Sequence, residues 1–435
     1  MILSTMVPRD PKWDEAASDS PYTSALPFAG RIGSLGTCPI PWGLGNIRVK
    51  PEISRDASAI EQNRLPLREV APASALSQRL ATAFVIAMIY AMVAAASFHG
   101  YYTKWRMSDL VSSQSLVNML DGTAARPFVY RQLLPQAATI IEQALPQGAR
   151  LAIEQRLNSA QGALRPPIGA EATKQGYAVR YRIVYYATFL SLFLALFALR
   201  SVCLTLGLSQ AAATAAPAIF ALAIPILQTR GGYFYDLPEL LAFALAARLA
   251  LGGHIVALLL LAMPATANKE AFFFYCLALP PLLMVRLSVR NAVAAALATA
   301  FVSGLTYLAI RLAYAENDGQ NAILQLFDNV LFYANPLNLF LLDQTYGLPL
   351  FKGYGIVVFG WFAILMAYGW RIVPTSIHRH LQLAAIINVP LLLLFCAEGE
   401  VRNLSMLYVA IVALMAGALQ RWLAATSTPA GPLAR

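Results

Sequence analysis

Charge is what this chain has least of. Asp, Glu, Lys and Arg together make up 12% of its 435 residues, about half the roughly 25% of an ordinary soluble domain. Histidine and cysteine are scarce too, at 4 each. The cysteines (Cys38, Cys203, Cys276, Cys396) stand far apart with no CxxC pair, so neither a disulfide framework nor a zinc site is expected. The chain also lacks a nucleotide-binding loop, a dinucleotide fingerprint, an HExxH helix and a GxSxG elbow. Soluble-cofactor chemistry has no foothold, so no cofactor is expected and no metal site is assigned.

Apolar residues fill the space left by charge, at 58%. Several of their runs approach or exceed the roughly 20 residues that cross a bilayer as a helix. They lack the period-2 alternation of barrel strands, and inside hydrocarbon only helices or a closed barrel satisfy the backbone. The expected fold is therefore all-α, a polytopic membrane bundle. Spans are expected at 80–98, 183–199, 210–228, 237–251, 254–267, 270–285, 291–311, 355–371, 382–397 and 404–421, about ten helices. Residues 1–77 are rich in Pro, Ser and mixed charge, with no basic region leading into an apolar core. They read as a disordered cytosolic tail rather than a signal peptide. The membrane domain is 78–422, and 423–435 is a short cytosolic tail.

The net charge of +10 would suggest nucleic acid in a soluble protein. Here its distribution assigns it to membrane orientation instead, and no nucleic-acid partner is expected. With both termini in the cytoplasm, the short cytoplasmic connections carry Arg200, Arg248, Arg286, Arg290, Arg371, Arg379 and Arg421. That is a positive-inside pattern. The acid-rich clusters then fall on the opposite side. They are Asp109 and Asp121, Thr229–Asp236, Asn268-Lys269-Glu270, the 312–354 loop, and Glu398–Asn403.

The first of these loops follows the first span. It carries Asp109, Asp121, Arg126 and Arg131, then Phe128, Leu133, Leu134, Ala137, Ile140, Ile141 and Leu145 at helical spacing. A helix with such a face lies along the membrane interface rather than across it. The stretches 237–251 and 254–267 are short for a full crossing, which sinks the Lys269-Glu270 turn into the outer half of the bilayer. A charge facing lipid there costs about 2.5–3.5 kcal/mol. Lys269 and Glu270 therefore face a polar cavity, either paired with each other or holding a ligand. Arginine forks at such a face suit a phosphate or pyrophosphate, and a carboxylate at the water boundary suits proton acceptance from an attacking hydroxyl.

An Asp after the first span, followed by Pro-Phe-Val-Tyr-Arg-Gln-Leu-Leu-Pro at 127–135, resembles the GT-C superfamily of polyprenyl-phosphate-sugar glycosyltransferases, in particular the mannosyltransferase-like members. Tyr235-Asp236, Asn268-Lys269-Glu270 and Glu400-Val401-Arg402 look like motifs of similar bacterial membrane proteins from polysaccharide clusters. The resemblance covers the order and spacing of motifs across 100–403. It implies transfer of a sugar from a polyprenyl-phosphate carrier to a glycan or lipid acceptor, at the periplasmic face of a bacterial inner membrane. Asp109 falls at the family's catalytic base, with Asp121 the rival. Arg126, Tyr130, Arg131, Tyr235, Asp236, Lys269, Glu270, Glu400 and Arg402 are the implied substrate-binding set. Ser108 stands where the family has a second acid, and a Ser-Asp pair is also the composition of a helix cap. A polysaccharide polymerase or ligase, or a flippase for a lipid-linked glycan, are the alternative functions.

Overall fold

A computed structural model of the chain describes residues 75–108, 115–159, 176–319 and 323–427. Asp109 and nearly all of the 1–77 tail lie outside them. The described residues fold as helices, with one small hairpin.

Helix α1 (Ala75–Trp105) is 31 residues long. It shows Leu80, Phe84, Met88 and Met92 on its exposed side, an i, i+4 stripe suited to lipid. Short pieces follow: α2 (Leu116–Leu120), a 3-10 turn (Phe128–Tyr130), α3 (Leu133–Ala144) and α4 (Gln147–Ser159). Of these, α3 is amphipathic, with Ile140 and Ile141 exposed, as expected of an interfacial helix. Two long helices come next, α5 (Tyr177–Thr205) and α6 (Gln210–Leu227). Pro225 lies inside α6 and has no N–H, so the Ala221 carbonyl loses its helical donor. The buried Ser97 hydroxyl of α1 supplies the replacement at 2.6 Å, clamping α1 to α6.

Six stretches among the described residues are long and apolar enough to cross a membrane, not about ten. They are α1, α5, α6, α11 (Val289–Ala313), α14 (Thr375–Phe395) and Val401–Thr426. The last joins a 3-10 segment (Val401–Leu407) to α15 (Tyr408–Ser427). The other four expected spans are helical but too short. Positions 237–251 and 254–267 become α7 (Asp236–Gly252, 17 residues) and α8 (Ile255–Asn268, 14 residues). The stretch 270–285 breaks into α9 (Ala271–Leu277) and α10 (Pro280–Leu283). Positions 355–371 become α13 (Ile356–Gly369, 14 residues). Gly252-Gly253 ends α7, the Asn268-Lys269 turn ends α8, and Pro280 follows the break after α9. At 1.5 Å per residue α8 reaches only about 21 Å, short of a hydrocarbon layer of about 30 Å.

The long loop after α11 holds a short helix, α12 (Leu326–Ala334), and the hairpin β1 (Leu342–Thr345) and β2 (Leu348–Phe351). The hairpin is antiparallel, with Thr345 opposite Leu348 across the turn Tyr346-Gly347. Both turn residues have positive φ (58° and 78°), the requirement of a type I′ turn. Asn329 of α12 donates to the Leu393 and Cys396 carbonyls (3.1 and 2.8 Å), capping the end of α14. In the bundle α5 packs along α7, α6 lies between α1 and α15, α11 covers α8 and α9, and α13 rests on α15.

Candidate functional site

One end of the bundle gathers a set of buried charges from connections far apart in sequence. Asp236 and Glu239 open α7, where the unsatisfied N–H groups of a helix start favour acids. One helical turn separates them, so they share a face. Lys269 occupies the break between α8 and α9. Its ammonium reaches Glu239 at 2.8 Å, Asp236 at 3.6 Å and Asn403 at 3.2 Å. Arg402, in the 3-10 turn ahead of α15, donates from Nη1 to both Asp236 oxygens at 2.8 and 2.9 Å. Its Nη2 binds Glu400, and the guanidinium lies 4.6 Å over the Tyr233 ring. Ser405 completes this side by donating to Glu239 at 3.0 Å.

Arg131 closes the other side. Placed at the end of the Phe128–Tyr130 turn, it grips Glu270 at 2.9 Å through Nη2 and at 3.4 Å through Nε. Its Nη1 donates to the Tyr235 hydroxyl, and its guanidinium lies 4.4 Å from the Tyr235 ring centre. Asn268 fixes the Tyr235 backbone by donating to its carbonyl at 2.9 Å. Arg131, Lys269 and Arg402 are 8%, 6% and 7% exposed. Charges buried this deeply persist only when paired and hydrogen-bonded. Burial alone would raise the Glu270 carboxyl, but the Arg131 charge and its hydrogen bonds hold it below the usual carboxylate range. Burial pushes the Tyr235 phenol well above its ordinary value, so it stays neutral and can both donate and accept.

Seven of the residues singled out from sequence therefore meet: Arg131, Tyr235, Asp236, Lys269, Glu270, Glu400 and Arg402. Tyr130 packs nearby, its buried ring edge-on to Tyr307 at 5.9 Å. Asp121 and Arg126 are held elsewhere. Asp121 is the last residue of the α2 cap, and its carboxylate pairs with Arg180 at 3.2 Å. Arg126 donates to the Gly319 carbonyl at 2.8 Å, tying the first loop to the chain after α11.

Glu239 was not singled out from sequence, although its three-residue spacing from Asp236 puts the two on one helix face. Asn403 stands at the end of the Glu398–Asn403 cluster picked out from sequence, whereas Ser405 and Asn388 were not anticipated. Asn388 anchors the 3-10 turn by donating to the Asn403 carbonyl at 2.8 Å and accepting from Met406 N at 3.3 Å. No sequence spacing signals that role. Among the described residues no group of three or more His, Cys, Asp and Glu is placed to hold a metal ion.

Two cavities lie apart from the charges. One of about 450 Å³ runs between α3, α4 and α5, lined by Ile141, Leu145, Ile153, Ile183 and Leu190 with Arg182. The other, about 560 Å³, is lined by Gly253–Ala257 and Leu260 at the far end of α8 from Lys269, so it has no part in the network. No protein-family model matches this chain, and no curated protein or solved structure is significantly similar to it.

Proposed function

We propose that this protein is an integral-membrane glycosyltransferase that moves a sugar from a polyprenyl-phosphate carrier to a glycan or lipid acceptor on the periplasmic face of a bacterial inner membrane. The observation that carries the reading is the convergence of Arg131, Asp236, Lys269, Glu270 and Arg402 from four separate connections. Three cations set among fixed carboxylates and phenols can exchange a carboxylate partner for a phosphoryl oxygen with little rearrangement. The largely apolar cavity beside the interfacial helix α3 suits the prenyl chain.

In the proposed reaction an acceptor hydroxyl oxygen attacks the anomeric carbon. The bond from that carbon to the phosphate oxygen breaks, and the leaving polyprenyl phosphate keeps the electron pair. Asp109 accepts the hydroxyl proton, and the Arg131 and Arg402 guanidiniums balance the charge that grows on the leaving phosphate.

A flippase is the second reading, favoured by one feature: the helix is broken at Lys269, between α8 and α9, and carriers build binding sites at discontinuous helices. The test is reconstitution of the full chain in liposomes with radiolabelled decaprenyl-phosphate sugars. Release of decaprenyl phosphate together with a labelled product, abolished by Asp109→Asn, supports transfer. Movement of the intact labelled lipid across the bilayer without release of its sugar supports the flippase and overturns transfer.

A further inference from the structure

Around the network several buried polar atoms have no hydrogen-bond partner among the described residues: Tyr101 Oη, Arg402 Nε, Gln228 Oε1 and Asn268 Oδ1. An unmet buried polar group is costly, so four bordering one short loop call for an explanation. They all border the 228–236 loop. Gln228 begins it, and its carbonyl accepts from Trp105 Nε1 at 2.9 Å. The Tyr101 and Trp105 rings pack onto Gly232 so closely that a Cβ there would sit 2.7 Å from each. Arg402 lies over the loop's Tyr233, and Asn268 holds its Tyr235 carbonyl. Tyr101 is fully buried and within electrostatic reach of Asp236, Arg402 and Tyr235.

The chemistry of the four atoms identifies the kind of group that would satisfy them. Arg402 Nε is a donor, Gln228 Oε1 and Asn268 Oδ1 are acceptors, and a phenol does both. An anion only accepts, so it would leave the two carbonyl oxygens unmet. A hydroxyl group donates and accepts at once, and a sugar ring carries several.

We propose that Tyr101, Gln228, Asn268 and Arg402 Nε form the subsite for the sugar ring, next to the Arg402 Nη atoms that the transferase reading gives to the phosphate. Resting on the transferase reading, this assigns Tyr101 a sugar-binding role at the end of the first span. The four atoms are enclosed, so a sugar reaches them only when the 228–236 loop gives way.

The experiment uses the full chain in lipid nanodiscs. Binding is measured for decaprenyl phosphate and for its mannosyl, glucosyl, galactosyl and arabinosyl derivatives. At least one sugar-bearing lipid is expected to bind about tenfold more tightly than the bare carrier, the equivalent of one or two net hydrogen bonds. Tyr101→Phe and Gln228→Leu are each expected to remove that increment and leave affinity for the bare carrier unchanged. Size-exclusion profiles and circular dichroism check that both variants are folded. If every sugar derivative binds like the bare carrier, the orphaned atoms hold water and the subsite is overturned. An increment that survives both substitutions overturns it as well. If the bare carrier does not bind, the carrier reading fails by itself. Methyl glycosides of the same sugars then decide the subsite, which stands if their binding is lost in Tyr101→Phe and falls if they do not bind or if their binding survives that substitution.

Discussion

Arg402 and Asp236 lie 166 positions apart, yet one guanidinium nitrogen bonds both carboxylate oxygens, at 2.8 and 2.9 Å. The pair fastens the 3-10 entry to α15 onto the start of α7. Lys269, 3.6 Å from the same carboxylate, fastens the α8–α9 break to it too. Charges inside an apolar bundle are an expensive way to join helices, because each costs several kcal/mol in lost hydration. A set of apolar side chains would join the same helices more cheaply. That is the physical ground for reading the network as a site.

Breaking this pair from one side is predicted to be worse than removing it entirely. Arg402→Met leaves the Asp236 carboxylate with Lys269, at 3.6 Å, as its remaining cation, and loss of one partner of a buried pair costs about 3–5 kcal/mol. The double variant Arg402→Met with Asp236→Asn should recover at least half of that loss. Thermal unfolding in detergent micelles measures both. A double variant no more stable than Arg402→Met would show that the Asp236 charge is not what the single substitution leaves uncompensated.

A pH dependence follows from Arg131 and Glu270. The Glu270 carboxyl is held below its ordinary value of 4.5. A group whose pKa is depressed in the folded state stabilises the fold above its unfolded pKa. It loses that contribution as pH falls through the folded value. The wild-type melting temperature should therefore hold from pH 7 to about 5 and fall below pH 4.5. Glu270→Gln should start lower at neutral pH and show a shallower fall over the acid window. Parallel acid limbs for the two proteins would remove Glu270 from the account.

Much of the helix placement was legible from residue type alone. The stretch 254–267 became Ile255–Asn268 because Gly252-Gly253 ends the helix before it and Asn268-Lys269 ends the helix itself. Length was less legible, since an apolar run reads the same whether its helix spans the bilayer or stops short inside a bundle. That is why about ten spans reduce to six. The charged turns could be picked out because charge is rare in this composition, but their pairing could not. Nothing in local spacing joins Arg131 to Glu270, 139 positions away. Glu239 was missed because Asp-Leu-Pro-Glu at a helix start reads first as a cap. The hairpin was missed because Tyr346-Gly347 is a weak turn signal beside Asn-Gly or Asp-Gly.

Close helix contact at Gly369 gives a prediction unrelated to the charges. A Cβ on this residue would sit 1.9 Å from the Leu414 carbonyl oxygen of α15, a contact no backbone tolerates. Gly369→Ala should force α13 away from α15 and destabilise the protein by about 1–3 kcal/mol, as overpacking does. Gly360, on the same helix, faces open space, and a Cβ added there would meet no atom within 4 Å. Gly360→Ala should be neutral or slightly stabilising, since alanine is the better helix former. Unfolding curves recorded side by side test the contrast, and equal effects would place the contact elsewhere.

The rival assignments for the catalytic base separate on Asp121. It ends α2, and its carboxylate pairs with Arg180 at 3.2 Å, with the two side chains 21% and 12% exposed. A partly exposed pair of this kind contributes about 0–1 kcal/mol, and Arg180 stands outside the Arg131–Glu270–Lys269–Arg402 network. Asp121→Asn should therefore lower the melting temperature only slightly and leave sugar transfer within about twofold of wild type, the equivalent of less than about 0.5 kcal/mol in the barrier. Asp109→Asn should leave folding intact and remove transfer. Initial rates for both variants, measured in the same liposomes, decide between them. Loss of transfer in Asp121→Asn with activity kept in Asp109→Asn would reverse the assignment and move the reacting centre toward α2 and Arg180.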